Sequence, residues 1–309
     1  MRSPRCEDAR GALRKQGYQF FSPDATAAVK PCMWNKRALK GGEMCYKHQF
    51  YGIESHRCVQ MTPTLRCNQR CLFCWRSFEH DVEAERECTP AEILGRVRDL
   101  QKRALSGYKV SQYVTHDRFA EALDPTMVAI SLSGEPTLYS GLPEMIDLFN
   151  AEGFTTFLVS NGTRPDVLAR CHPFQTYVSL DAPDEETYLP LCNPEEEGSW
   201  ERIQQSLGLL SGRRSAVRTT IVKGINDIDP AGYAEQYEAS GARFIEIKGY
   251  MYLGYSRNRL SQENMPAHED VRRFAEEVAG HCTRYRIADE SPISRVVLME
   301  RTERGDEAE

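Results

Sequence analysis

The stretch Leu65-Arg66-Cys67-Asn68-Gln69-Arg70-Cys71-Leu72-Phe73-Cys74-Trp75-Arg76-Ser77 places three thiols in the spacing C-x3-C-x2-C. It follows an apolar run, Val59 to Leu65, flanked by Thr and Pro, that reads as the end of a strand. Three clustered thiolates without a fourth suit an iron–sulfur cube in which one iron keeps an open position. Two plainer readings compete. Cysteines at i, i+4 and i+7 could line the buried face of a helix, or could hold zinc, although a closed zinc site takes four ligands. Thr62-Pro63-Thr64 and the polar residues between the thiols favour a loop over a helix.

A second set stands upstream. Cys32, Cys45 and Cys58 are spaced thirteen residues apart, with Gly41-Gly42 as a pliant turn between the first two. Loops of that length can fold back to one point. This set too has no evident fourth thiol, though His48 and His56 lie close in sequence, and three Cys with one His could bind zinc. Trp34, Tyr46, Phe50 and Tyr51 run through the segment, to stack bases or to pack around a metal.

The chain of 309 residues can bury a sizeable core. Its first residues form no apolar leader, and no stretch approaches the ~20 apolar residues of a membrane span. Eleven cysteines without an export signal point to a reducing, cytoplasmic location. Cys6, Cys88, Cys171, Cys192 and Cys282 fall outside the two triplets and read as small apolar fillers. The net charge of −6 disfavours a nucleic-acid partner, yet Lys30 to Arg76 holds nine Lys and Arg against Glu43 and Glu54. A basic, cysteine-bearing segment on an acidic body suggests a localised anion-binding face.

Along the rest of the chain strands and helices alternate. Residues 1–30 read as a short helix, Arg10 to Gln16, within a surface extension. Thr89-Pro90-Ala91-Glu92 is an N-cap, a proline at the first helical position and an early acid, opening a helix to about Leu105. Strands are expected at Met127–Leu132, Phe154–Val159, Thr176–Asp181, Val217–Val222 and Phe244–Ile247. Helices are expected from Leu142, over Trp200–Leu210 and over Pro230–Ala239. The alternation implies α/β architecture with a parallel sheet. A final helix over 267–281, a strand at Val296–Met299 and a disordered charged tail from Glu300 complete it. Lys248 to Arg259, rich in Gly, Tyr and Arg, could grip unpaired RNA or simply pack.

The C-x3-C-x2-C motif, with Phe73 before its last cysteine, resembles the signature of the radical S-adenosylmethionine (SAM) superfamily. Adding the even N-terminal triplet and the string Cys45-Tyr46-Lys47-His48-Gln49-Phe50-Tyr51-Gly52, residues 30 to 260 look like the tRNA 4-demethylwyosine synthase family in its short, archaeal-type form. The resemblance implies a partial (β/α)6 TIM-like barrel over 58–250. An extension over 1–57 carries the second iron–sulfur site, and residues 251–309 form a C-terminal extension. It implies two 4Fe-4S clusters, one held by Cys67, Cys71 and Cys74 and the other by Cys32, Cys45 and Cys58, together with SAM. In the superfamily the open iron chelates SAM, and one electron releases a 5′-deoxyadenosyl radical.

Ser133-Gly134-Glu135 matches the superfamily's Gly-Gly-Glu-Pro-like turn for the SAM ammonium, with Ser in the first position. Asn161, Ser179 and Asp181, at later strand ends, are candidates for SAM or substrate contacts; Asp181 could equally cap the helix that follows. Lys47 occupies the place of the family's Schiff-base lysine. The implied reaction joins N1-methylguanosine 37 of tRNA-Phe to pyruvate, closing the tricyclic base. The longer eukaryotic form carries a flavodoxin domain, and nothing of that pattern precedes residue 30, so a separate donor, ferredoxin or flavodoxin-like, is expected to serve a monomer. Competing functions are another radical SAM enzyme with an auxiliary cluster, acting on a peptide or small molecule, and a zinc-dependent RNA-binding protein without catalysis.

Overall fold

The computed structural model describes residues 4–78 and 84–302, with side chains from residue 9 onward. The chain forms two compact units. One comprises Met1–Cys67, Phe78–Val159 and Arg170–Phe174, the other Asn68–Ser77, Ser160–Ala169 and Gln175–Glu309.

In the first unit α1 (Pro4–Lys15) precedes a short hairpin of β1 (Gln19–Phe20) and β2 (Ala28–Val29). Helices α2 (Met33–Leu39) and α3 (Tyr46–Tyr51) follow, then β3 (Cys58–Thr62), antiparallel to β2. Next come α4 (Pro90–Leu105), α5 (His116–Leu123), β4 (Met127–Ile130), α6 (Leu142–Ala151) and β5 (Thr155–Ser160). Strands β3, β4 and β5 run parallel, Val59 opposite Val128 and Val128 opposite Thr156. In α4 the Thr89 hydroxyl accepts the Glu92 N–H and the Glu92 carboxylate accepts the Thr89 N–H, a complete capping box. Ile93, Val97 and Leu100 then form its buried stripe at helical spacing.

The second unit contains α7 (Pro165–Leu168), β6 (Gln175–Ser179), α8 (Glu185–Cys192), α9 (Ser199–Gly208) and β7 (Ser215–Ile221). It continues with α10 (Pro230–Ser240), β8 (Phe244–Gly249), α11 (His268–His281), β9 (Tyr285–Ser291) and β10 (Val296–Arg301). Strands β6, β7 and β8 are parallel; β10 adds antiparallel to β8, and β9 to β10. Each unit thus supplies three parallel strands, the α/β pattern expected from the sequence.

The differences lie mainly at the two ends, with one helix between them. Residues 16–30 are not a loose extension: Phe21, Ala25, Ala28 and Val29 are fully buried. Strand β9 and helix α5 were not expected, and β10 runs on through Glu300 and Arg301, where a disordered tail was placed. The remainder of that tail, 303–309, lies outside the described residues. Among the described residues no helix is long and apolar enough to cross a membrane.

The Thr89 cap is exposed and lies outside both cysteine triplets, so Thr89→Ala should lower unfolding stability by ~1 kcal/mol, with Thr89→Asp restoring most of it. Urea denaturation measures both; an unchanged midpoint in Thr89→Ala would show that the cap contributes nothing.

Candidate active site

Cys32 and Cys45 are the N-cap residues of α2 and α3, and Cys58 opens β3. The Asn35 N–H donates to Cys32 Sγ and the Lys47 N–H to Cys45 Sγ, each at 3.3 Å. All three thiols are free and partly buried. They stand near enough to feel one another: burial raises Cys58 first, charge on Cys32 and Cys45 raises it further, and Lys47 pulls it down. Asn35 fastens the assembly from behind, its amide nitrogen donating to the carbonyls of Ser55, His56 and Cys58.

Lys47 is only 9% exposed, and its Nζ lies 4.6 Å from the centre of the Phe157 ring on β5. His48 turns its Nδ1 to the Ile53 carbonyl, and His56 Nε2 contacts Glu121. Tyr46, Phe50 and Tyr51 pack on one another, which favours packing over base stacking for them.

The Ser133-Gly134-Glu135 turn is docked on the residues leading into Cys67. Gly134 has φ +78°, and a Cβ there would lie 2.1 Å from the Thr64 carbonyl oxygen, so only glycine fits. The Glu135 N–H donates to Arg66 O at 2.7 Å, and the Thr62 hydroxyl donates to both Thr64 O and Ser133 O. The Glu135 side chain is buried, one carboxylate oxygen accepting the N–H and hydroxyl of Thr137. Ser133 Oγ is buried with no hydrogen-bond partner among the described residues. A carboxylate and an orphaned hydroxyl in one turn suit a ligand carrying an ammonium group, as SAM does.

Cys71 and Cys74 belong to the second unit. Their loop is braced by the end of α8, where Arg70 N–H donates to Cys192 O and Leu72 N–H to Leu191 O. The buried Cys192 is not a mere filler. Its hydrogen bond with Cys71 is the leading cause that pushes the Cys71 thiol well above its usual range, ahead of burial. Arg259 donates to the carbonyls of Leu72 and Cys74, and a Cβ on Gly254 would sit 2.3 Å from Trp75 O. Tyr250 is buried with its hydroxyl on Ser256. Arg259, in the segment read as gripping RNA or simply packing, thereby supports the cysteine loop, and Tyr250 packs within the segment itself. The role of Arg259 was not legible in the sequence, because an arginine that binds backbone carbonyls looks like one that binds phosphate.

Asn161, Ser179 and Asp181 do come together: with Gln69, Tyr188 and Cys192 they line one small cavity in the second unit. Asn161 is held in a network, donating to Asn68 Oδ1 and accepting from Thr163. Asp181 does not cap a helix; Asp184 does, accepting the Thr187 N–H. Instead Asp181 Oδ1 accepts the Thr220 N–H at 2.7 Å, and burial raises its pKa to about 6, against a smaller lowering by Thr220 and Arg218. Three of the nine basic residues from Lys30 to Arg76 meet carboxylates, Arg37 at Glu43, Arg57 at Glu54 and Arg70 at Glu195.

Among the described residues no three His, Cys, Asp or Glu side chains could together hold a single metal ion. A zinc ion, with ligand bonds of about 2.3 Å to sulfur, draws its ligands to one point. A cube gives each thiolate its own iron, so its three sulfurs stand farther apart. Cys32, Cys45 and Cys58 feel one another's charge, and two of them accept backbone N–H groups, a donor set suited to a thiolate-bound metal centre.

The Radical SAM superfamily profile matches residues 61–236 and the Wyosine base formation profile residues 239–301. The chain is 44% identical to the S-adenosyl-L-methionine-dependent tRNA 4-demethylwyosine synthase of Pyrococcus horikoshii, over 94% of this chain and 87% of that one. It is 41% identical to the enzyme of that name from Methanocaldococcus jannaschii, over 94% and 95%. A solved structure of TYW1 with a lysine-pyruvate adduct bound superposes with TM-score 0.87 at 40% identity, covering 96% of both chains. A crystal structure of archaeal TYW1 gives 0.79 at 36%, covering 97% of both.

A buried carboxyl raised from 3.8 to about 6 favours its protonated form in the folded state. Its stabilising contribution is complete below about pH 4 and is lost as pH climbs through 6, roughly 3 kcal/mol in all. Asp181→Asn should therefore lose that part of the pH dependence and gain stability relative to wild type at pH 7. Denaturation at pH 4, 5, 6 and 7 checks it; parallel curves for the two proteins would contradict the shift.

Proposed function

The chain belongs to the tRNA 4-demethylwyosine synthase family of the radical SAM superfamily, with the superfamily's partial barrel fold, and we propose how its own residues divide the reaction. The enzyme condenses N1-methylguanosine 37 of tRNA-Phe with pyruvate to form 4-demethylwyosine. Cys67, Cys71 and Cys74 would hold the cluster that works with SAM. Ser133 and Glu135 would receive the SAM ammonium on the turn that Gly134 presses against Thr64. Asn161, Ser179 and Asp181 would line the remaining contacts. Bound together, that cluster and SAM supply a primary carbon radical able to take hydrogen from a methyl group that no side-chain base could deprotonate.

Cys32, Cys45 and Cys58 would hold a second cluster, in an extension over 1–57 ahead of the barrel at 58–250 and the C-terminal segment 251–309. Lys47, between those thiols in sequence and buried among them, is the amine for pyruvate. As neutral amine its Nζ attacks the ketone carbon, water leaves, and the resulting imine fixes pyruvate with that carbon open to attack by the substrate methyl group. The radical left on the methyl carbon forms that bond, and the C1–C2 bond of pyruvate breaks with the carboxylate leaving as the CO2 radical anion. The exocyclic amine of the guanine displaces Nζ from the imine carbon, which closes the ring, frees Lys47 and leaves the third pyruvate carbon as a methyl substituent. The placement of Lys47, nine-tenths buried beside Cys58 and over Phe157, carries this reading. The lysine-pyruvate adduct in the solved TYW1 structure supports it by analogy. Lys223 is a weaker alternative, since its Nζ is spent on Asp270 at 2.9 Å. A cytoplasmic location, a monomeric state and a separate ferredoxin or flavodoxin-like donor belong to the same reading.

Borohydride with labelled pyruvate should mark about one site per chain on the peptide containing Lys47, and Lys47→Ala should take up no label and form no product. Equal labelling of wild type and Lys47→Ala would remove Lys47 from the mechanism.

A further inference from the structure

Several arginines of this chain end on carboxylates: Arg86 bridges Asp24 and Glu92, Arg164 holds Glu196, and Arg218 holds Glu246. Arg14, Arg96 and Arg103 differ. None of them forms an ion pair among the described residues, and all three line one open groove of about 360 Å³ in the first unit. Tyr18 and Phe20 of the β1 hairpin form its aromatic wall, and no acidic residue lines it. The Arg14 guanidinium lies 6.0 Å from the Phe20 ring centre, with Arg10 stacked at 4.7 Å. Arg96 donates to the Phe21 carbonyl, which engages part of its five-donor fork.

Arg96 and Arg103 sit two turns apart on α4, about 10 Å along the axis at 1.5 Å per residue. That separation favours successive phosphates of a chain over one isolated anion. A protein with net charge −6 repels RNA at long range, so its affinity must come from cations gathered in one place. The groove also has a short mechanical path to the radical motif. Tyr18 belongs to the buried cluster with Ala28 and Leu132, and Leu65, two residues before Cys67, packs on that cluster.

We propose that this groove is an RNA exosite that grips the sugar–phosphate backbone of the tRNA substrate, apart from the residues that handle the reacting guanine. The assignment rests on the tRNA-modifying reading above. The arginines neutralise phosphates, and Phe20 holds Arg14 and Arg10 in place by cation–π contact. Arg96 is left intact in the test because it also ties down the hairpin.

The experiment compares the fully reconstituted wild type with Arg14→Gln/Arg103→Gln, using an N1-methylated tRNA-Phe transcript in filter binding from 50 to 200 mM salt. The expected double-variant result is at least about tenfold weaker binding. The slope of log affinity against log salt should be shallower by about 1.4 to 1.8, since each phosphate contributes roughly 0.7–0.9. Arg14→Lys/Arg103→Lys should keep most of the slope. The melting temperature, the KM for pyruvate and SAM cleavage without tRNA should match wild type. An unchanged tRNA affinity and slope overturns the exosite; should reduction by a flavodoxin-type donor alone then slow, the groove belongs to an acidic protein. If wild type itself neither binds nor converts the transcript, the tRNA reading falls first. If wild type converts it and the double variant binds equally well, only the exosite falls.

Discussion

Residue 134 can carry no side chain, because its α-carbon faces the Thr64 carbonyl across a gap that a single methyl group would close to 2.1 Å. That contact sets the turn bearing Glu135 against the peptide entering Cys67, and two backbone-directed hydrogen bonds, from Glu135 N–H and the Thr62 hydroxyl, hold it there. The arrangement is rigid because it is made from main chain. A carboxylate fixed this way is preorganised for a ligand cation, so less ordering entropy is lost when the ligand arrives.

The cysteines themselves are braced by similar means. In the second unit the end of α8 pairs with the peptide between Gln69 and Leu72, Arg259 fills the carbonyls of Leu72 and Cys74, and Gly254 lets its own backbone approach Trp75. In the first, Asn35 gathers three carbonyls around Cys58, and two helix caps present Cys32 and Cys45. Short loops alone would leave six thiols mobile. These supports fix them before any metal arrives, with part of the ordering cost met by folding.

Much of this was legible in the sequence where the signal is local. The Thr89 capping box, the alternation of strands with helices and the two thiol triplets follow from residue type and spacing, whereas Lys47 was picked out by family resemblance and its burial was not legible. Strand β9 was hidden because Tyr-Arg-Ile-Ala-Asp-Glu-Ser lacks an apolar period; it is an edge strand held by the ladder to β10. The β1 hairpin has strands of two residues, too short for any pattern, and is stabilised by the burial of Phe21 and Ala27 to Val29. Asp181 and Asp184 compete on paper for the same cap, and only the Thr220 partner of the first and the Thr187 partner of the second tell them apart. Cys192, read as an apolar filler, and Arg259, read within a stretch for RNA or packing, hid their roles because their partners lie 121 and 187 residues away along the chain.

We propose that the six cysteines hold two separate cubes, each on three protein sulfurs. Iron and acid-labile sulfide per chain, measured after anaerobic reconstitution, test it most directly. Wild type should hold about eight of each, and the triple Cys→Ala variants of Cys32/Cys45/Cys58 and of Cys67/Cys71/Cys74 about four of each. Wild type with four, or a colourless variant holding zinc where the first triplet survives, would contradict it.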